Sequence, residues 1–220
     1  MNDVTGTLVE AQALLFDLDG VILDSTMDAV RRWRAFCVRH GLDEAEVLAV
    51  AHGQRTLDTV AAYLPADRVR AETDWFETLD VGDDVIGELP GVRQLLSALD
   101  PDWWCIVTSC PRGLAVERLT RLGLPVPGVL VTAEDVAVGK PSPVPYQAGL
   151  AALGVEPHDA LVFEDAPSGV AAGRAAGIRV VTLLTTHDRS VLNGSYVIAD
   201  LSSATVLTNA PPLTLALREV

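Results

Sequence analysis

The segment Phe16-Asp17-Leu18-Asp19-Gly20 carries two carboxylates two residues apart where an apolar run gives way to a turn. Asp-Gly is a common turn dipeptide, and a pair of turn carboxylates is the bland account. The chemical account is a hard-cation site. A carboxylate oxygen and a nearby backbone carbonyl can take Mg²⁺, with waters and a substrate phosphate completing the octahedron. The two side chains would then divide the labour, one as nucleophile and the other as general acid and base. A second acidic pair, Glu164-Asp165, also ends an apolar run. Carboxylates brought together repel one another, and a bound divalent cation offsets that repulsion, so the clustering itself argues for metal.

Neutral and cationic groups stand at comparable places. Thr108-Ser109 end a third apolar run and offer hydroxyl and backbone N–H donors to phosphate oxygens. Lys140 lies in Gly139-Lys140-Pro141-Ser142-Pro143, where the prolines suit a loop entering a helix. The chain uses arginine fifteen times and lysine once. That bias points to a position needing a compact point charge, where a planar guanidinium fork does not fit.

The elements that must position these residues follow from hydrophobic pattern. Ala13 to Phe16, Cys105 to Val107 and Ala160 to Phe163 are continuous apolar runs separated by helical segments, as a parallel sheet covered on both faces requires. Further strands are expected near Gly128 to Thr132, Arg179 to Leu184 and Tyr196 to Ala199. Ligands of such sheets bind beyond the carboxyl ends of the strands, where the polar residues above are found. Residues 25–87 show helical patterns and no convincing strand, and read as a helical insert. Ser25 is placed to cap a first helix ending at Gly41, with others near Asp43 to His52, Thr56 to Leu64 and Asp67 to Leu79, punctuated by Pro65, Gly82 and Gly87. Pro90-Gly91 opens a core helix that returns the chain to the sheet. Gly169, Gly173 and Gly177 fall on one helix face, a spacing that suits close packing and is not the GxGxxG of dinucleotide sites. The segment around Ala210-Pro211-Pro212 carries no assignment.

Composition narrows the partners. With 220 residues, 49% of them hydrophobic, the chain can bury a sizeable core. Its net charge of −14 disfavours nucleic acid and an anionic membrane surface, both of which need a broad basic face. No run reaches the roughly 18 apolar residues a membrane span needs, and the N-terminal residues lack a basic flank, so a cytoplasmic protein is expected. Cys37, Cys105 and Cys110 are odd in number and never spaced as CxxC, which fits buried free thiols. His40, His158 and His187 lack metal-ligand spacing, His52 at a helix end reads as a cap residue or a substrate ligand, and no basic residues interleave with the four tryptophans to form a stacking platform.

Taken in order, Asp17-Leu18-Asp19-Gly20, Thr108-Ser109, Gly139-Lys140-Pro141 and Phe163-Glu164-Asp165 resemble the four motifs of the haloacid dehalogenase superfamily of phosphohydrolases. The resemblance implies an α/β fold with a Rossmann-like core, residues 1–24 and 88–220, and a small α-helical cap, residues 25–87. It also implies roles: Asp17 as phosphoryl-accepting nucleophile, Asp19 as general acid and base, and Lys140 with Thr108 or Ser109 holding the phosphoryl group. Asp17, Asp19 and Asp165 would bind Mg²⁺, with Glu164 binding directly or through water. Within the insert, His52-Gly53-Gln54-Arg55-Thr56 resembles the specificity loop of glycerol-phosphate and deoxyglucose-phosphate phosphatases. There Arg55 would pair with substrate, Gly53 would let the backbone approach it, and Thr56 would either share in this or cap the next helix. Cys110-Pro111 departs from the glycine and small residue usual after the second motif.

The implied activity is hydrolysis of small sugar or polyol phosphates through an aspartyl-phosphate, by a monomer whose partner is a small phosphate ester. A beta-phosphoglucomutase-like mutase is the alternative. Such mutases share a cap-hinge histidine that Asp24 to Val30 lacks. A non-catalytic phospho-ligand module is the alternative of another class, and the presence of every motif residue argues against it.

Overall fold

The computed structural model describes residues 6–79 and 86–220. Gly82, expected to punctuate the helical insert, lies outside them. The chain opens with β1 (Thr7–Ala11) and β2 (Ala13–Phe16), and a two-residue strand β3 (Leu23–Asp24) leads into four helices. These are α1 (Thr26–His40), α2 (Glu44–Ala51), α3 (Thr56–Tyr63) and α4 (Ala66–Glu77). The return runs through β4 (Gly87–Glu88), α5 (Val92–Ala98), β5 (Trp104–Val107), α6 (Arg112–Arg121) and β6 (Leu130–Val131). Then follow α7 (Val144–Leu153), β7 (Ala160–Glu164), α8 (Pro167–Ala175), β8 (Arg179–Leu183) and β9 (Tyr196–Ile198), with β10 (Ala204–Thr208) and β11 (Leu213–Leu217) at the end.

Six strands form one parallel sheet in the order β6-β5-β2-β7-β8-β9. Successive side chains of a strand point to opposite faces, so each apolar run feeds two cores. Leu14, Phe16, Ile106 and Phe163 face one side with α5 and α6, while Leu15, Val107, Val162 and Val180 face the other with α7 and α8. This is the doubly covered α/β architecture expected from the runs. The strand order departs to both sides from β2, so the residues just after β2 sit at the switch point where such sheets open a crevice.

Helices α1 to α4 gather around their own apolar cluster of Trp33, Phe36, Cys37, Val47, Val60 and Phe76. They leave and rejoin the sheet through a ribbon in which β3 pairs antiparallel with β4. Helix α1 ends at Gly41 with φ 67°, and Asp43 caps α2 by accepting the Glu46 N–H. Two capping expectations are corrected. Ser25 occupies the N-cap of α1 but makes no capping bond, and Arg55 rather than Thr56 is the N-cap residue of α3. Both residues line a cavity instead, and the Ser25 hydroxyl donates to Asp19 Oδ1 at 2.6 Å.

The C-terminal segment forms a three-stranded antiparallel sheet, β1-β11-β10, which the sequence pattern did not reveal. Leu213, Leu215 and Leu217 turn its inner face onto the α5/α6 side of the core. Of the glycine row, Gly169 and Gly173 lie in α8 and are closely packed, whereas Gly177 falls beyond the helix end with φ 80°, which corrects the expectation of three glycines on one helix face. A Cβ at Gly173 would lie 2.9 Å from Val180 Cγ2, and one at Gly169 would run into the Glu164 carboxylate.

Candidate active site

Asp17 follows β2 directly, and its backbone N–H donates to Phe163 O at 3.0 Å, which ties it to the neighbouring strand β7. Its side chain is buried beside Lys140, whose Nζ lies 2.7 Å from Asp17 Oδ1 and 2.7 Å from Glu164 Oε1. The third ammonium proton meets Val107 O at 3.1 Å, at the end of β5. Lys140 is 2% exposed, so the loop before α7 delivers it into the interior under the strand ends. Glu164 is fully engaged around it. Oε1 also accepts from Tyr146 Oη at 2.6 Å, and Oε2 accepts from the backbone N–H groups of Asp165 and Ala166 at 3.1 and 3.3 Å.

Burial pushes the Asp17 carboxyl well above the usual carboxylate range; Lys140 opposes this, while the charges of Glu164 and Asp165 add to it. For Lys140, burial works against the charged form, but Asp17 and Glu164 outweigh it and hold the ammonium protonated.

Asp165 is fully buried behind Gly20, whose φ of 84° and lack of a side chain leave room for the carboxylate. Its Oδ2 accepts from Thr186 Oγ1 and lies 3.0 Å from His52 Nε2. Burial disfavours the His52 cation, but the Asp165 hydrogen bond and charge prevail and raise its pKa. Asp165 Oδ1 is buried with no hydrogen-bond partner among the described residues. Asp17, Glu164 and Asp165 each bring an oxygen within 4.8 Å of the others. An orphaned carboxylate oxygen in an all-oxygen cluster suits a hard divalent cation.

Asp19 is less enclosed. Its Oδ1 accepts from Ser25 Oγ at 2.6 Å and from Arg118 Nη1 at 2.9 Å. Asp17 and Asp19 open onto a cavity of about 160 Å³ between the sheet and the helical insert, which Thr108, Ser109 and Gly53 also line. The Thr108 N–H donates to Val131 O at 2.9 Å and its hydroxyl accepts the Cys110 N–H at 3.0 Å, so Thr108 shapes the turn after β5. Ser109 Oγ donates to Gly53 O at 2.9 Å, linking that turn to the insert. Cys110 is buried, and burial raises its thiol pKa well above the ordinary value, which fits an inert thiol.

A family model described as haloacid dehalogenase-like hydrolase matches residues 11–177. The chain belongs to this family. Hexitol phosphatase A of Escherichia coli (strain K12) is 38% identical over 191 residues, covering 84% of this chain and 88% of its own. Glycerol-1-phosphate phosphohydrolase 2 of Saccharomyces cerevisiae is 35% identical over 202 residues, covering 84% and 79%. The crystal structure of a hydrolase from Pseudomonas syringae superposes with a TM-score of 0.75 at 25% identity, covering 86% of this chain and 94% of the other.

In this haloacid dehalogenase-like hydrolase the motif residues Asp17, Asp19, Thr108, Ser109, Lys140, Glu164 and Asp165 converge at the carboxyl ends of β2, β5 and β7. Arg55 does not join them. Its guanidinium is paired with Asp58, Nε to Oδ2 at 2.7 Å and Nη2 to Oδ1 at 2.8 Å. Nη1 and Nη2 also donate to the carbonyls of Val136 and Ala137 at 2.9 and 3.3 Å. With four of its five N–H donors in these contacts and its side chain off the Asp17 cavity, Arg55 joins α3 to the loop before Lys140. Residues that sequence reasoning passed over are Arg118, Asp28, Tyr146 and Thr186. Each is an unremarkable residue in a helix or loop, and only its partners give it a place in the site.

Proposed function

We propose that this hydrolase is a Mg²⁺-dependent phosphatase of small sugar or polyol phosphates that works through an aspartyl-phosphate on Asp17. The observation that carries this is the Asp17 carboxylate itself: buried, held through Oδ1 by Lys140, beside the orphaned Asp165 oxygen and open to the cavity. The named relatives, phosphatases of hexitol and glycerol-1-phosphate, support the substrate class. Residues 1–24 and 88–220 form the catalytic core and 25–87 the cap, a division supported by the separate apolar cluster of α1 to α4.

Asp17 attacks phosphorus through its free oxygen while Lys140 orients the carboxylate and favours its charged form against burial. The phosphorus–ester oxygen bond breaks, and Asp19 gives its proton to the departing alkoxide. Asp19 then takes a proton from water, which attacks the aspartyl-phosphate, releases inorganic phosphate and restores the Asp17 carboxylate. Thr108 and Ser109 at the end of β5 hold the phosphoryl oxygens, and Gly53 brings the cap backbone over the ester. Asp17, Asp19 and Asp165 would hold Mg²⁺, which would supply charge to offset the carboxylates and the phosphate. Glu164 takes part through water, because its oxygens already serve Lys140, Tyr146 and two backbone amides.

Phosphate release from a panel of hexose, hexitol and glycerol phosphates tests this. Turnover of at least one of them with Mg²⁺, abolished by chelator, is expected. Chelator-insensitive turnover would remove the metal assignment. Glucose 6-phosphate appearing faster than free phosphate, from glucose 1-phosphate with a trace of the 1,6-bisphosphate, would establish the mutase instead.

A further inference from the structure

Arg118 lies on α6 in the core, 6% exposed, between two carboxylates from different parts of the molecule. Nη1 donates to Asp19 Oδ1 at 2.9 Å, and Nη2 donates to Asp28 Oδ2 on the cap helix α1. Asp28, 4% exposed, is in turn gripped by Arg32 Nε at 3.1 and 3.0 Å, and Arg32 Nη1 reaches Phe76 O at the end of α4 at 3.3 Å. A buried chain of charge therefore runs from Asp19 through Arg118 and Asp28 into the cap. Arg118 Nε is buried without a partner among the described residues.

Fold stability alone does not account for this arrangement. Taking the Arg118 guanidinium and the Asp28 carboxylate out of water costs several kcal/mol per ion, and apolar replacements of buried ion pairs are often neutral or stabilising. What the guanidinium provides and an apolar side chain does not is a rigid fork that holds two carboxylates at a set separation. On one of them, Asp19, Oδ1 is filled by Arg118 and Ser25, which leaves Oδ2 to carry the proton.

We propose that Arg118 is a positioning residue that aligns Asp19 for proton delivery, and that it does so through Asp28, so that delivery is coupled to the docking of α1 on the core. The proposal rests on the reading of Asp19 as general acid. When α1 moves away, the fork loses one of its two anchors and Asp19 loses its alignment.

The test compares wild type, Arg118→Met, Arg118→Lys and Asp28→Asn with Mg²⁺ on two esters: glycerol phosphate, whose alkoxide must be protonated, and p-nitrophenyl phosphate, whose phenolate leaves with little help. Misplacement of a reacting group by about 1 Å costs on the order of 10²-fold, so Arg118→Met is expected to lower kcat on glycerol phosphate by about that factor with little change in KM. On the aryl ester the loss should stay below about 10-fold, since less of the barrier depends on the proton. Arg118→Lys should recover part of the difference, and Asp28→Asn should reproduce it at smaller amplitude. The ratio of the two rates within one preparation is independent of the fraction folded, so a destabilised variant still gives an answer. Equal losses on both esters, or no loss, would overturn the proposal while leaving the phosphatase reading standing. A wild-type protein that releases phosphate from none of the hexose, hexitol and glycerol phosphates would overturn that reading and this inference with it.

Discussion

Lys140 shows how much a single residue's chemistry is set by its surroundings. Its ammonium has three protons and meets three acceptors, on Asp17, Glu164 and Val107, in a site closed to solvent. Arginine keeps the charge but offers a planar fork in place of a tetrahedral head. Lys140→Arg is therefore expected to lower kcat/KM by at least about 10²-fold, with overpacking costing roughly 1–3 kcal/mol in a thermal melt. A variant with near-full kcat/KM would show that charge alone suffices there. Asp17→Asn replaces the nucleophile with a far poorer one. Intact-mass analysis of rapidly quenched protein with substrate should show a phosphoryl adduct on wild type and none on this variant; an adduct on both would place the nucleophile elsewhere.

Among the elements, the cap is joined internally by charge as well as by its apolar cluster. Glu72 on α4 accepts from Arg39 at 2.8 Å, from Arg68 at 3.1 Å and lies 3.0 Å from His40 Nε2, linking α4 to the end of α1. The Arg39 hydrogen bond, helped by Arg68 and His40, brings the Glu72 carboxyl down from 4.5 to about 2, against the effect of burial. A carboxyl whose pKa is depressed on folding contributes stability that is complete above its unfolded value and is lost as pH falls through the folded one. The contribution from Glu72 should thus disappear between about pH 4.5 and pH 2. Denaturant titrations across that range should give a shallower acid loss for Glu72→Gln than for wild type. Parallel curves would mean that the ion cluster does not couple to folding.

Over the whole molecule, the cap and the core meet through a few polar contacts around the cavity. Besides the Arg118 fork, His52 reaches Asp165, Ser109 and Ser168 donate to the backbone of Gly53 and His52, and Arg55 spans from Asp58 to Val136 and Ala137. Because its hydrogen bonds join α3 to the loop before Lys140, Arg55→Ala is expected to reduce kcat/KM by a similar factor on every substrate, about 10-fold for a lost hydrogen bond to a charged group. Losses that vary strongly between glycerol, hexitol and aryl phosphates would restore it as a substrate contact.

The doubly covered sheet and the convergence of its polar strand ends were legible in the sequence because both follow from local pattern. A strand buried on two faces must be apolar throughout, as Leu14-Leu15-Phe16 and Leu161-Val162-Phe163 are, and its first polar residue marks the crevice. Even the isolated lysine marked its own position. The partners of charged side chains on helices followed no such pattern. Arg118 is 99 residues from Asp19 and 90 from Asp28, while Arg55 is 81 from the Val136 carbonyl. Nor was the sheet β1-β11-β10 visible, since β1 and β11 pair Thr7 with Leu217 across almost the full chain. Helical period and apolar run length record which face of an element is buried. Which distant group meets a given guanidinium depends on how the elements pack against one another, and that was decided only in the tertiary structure.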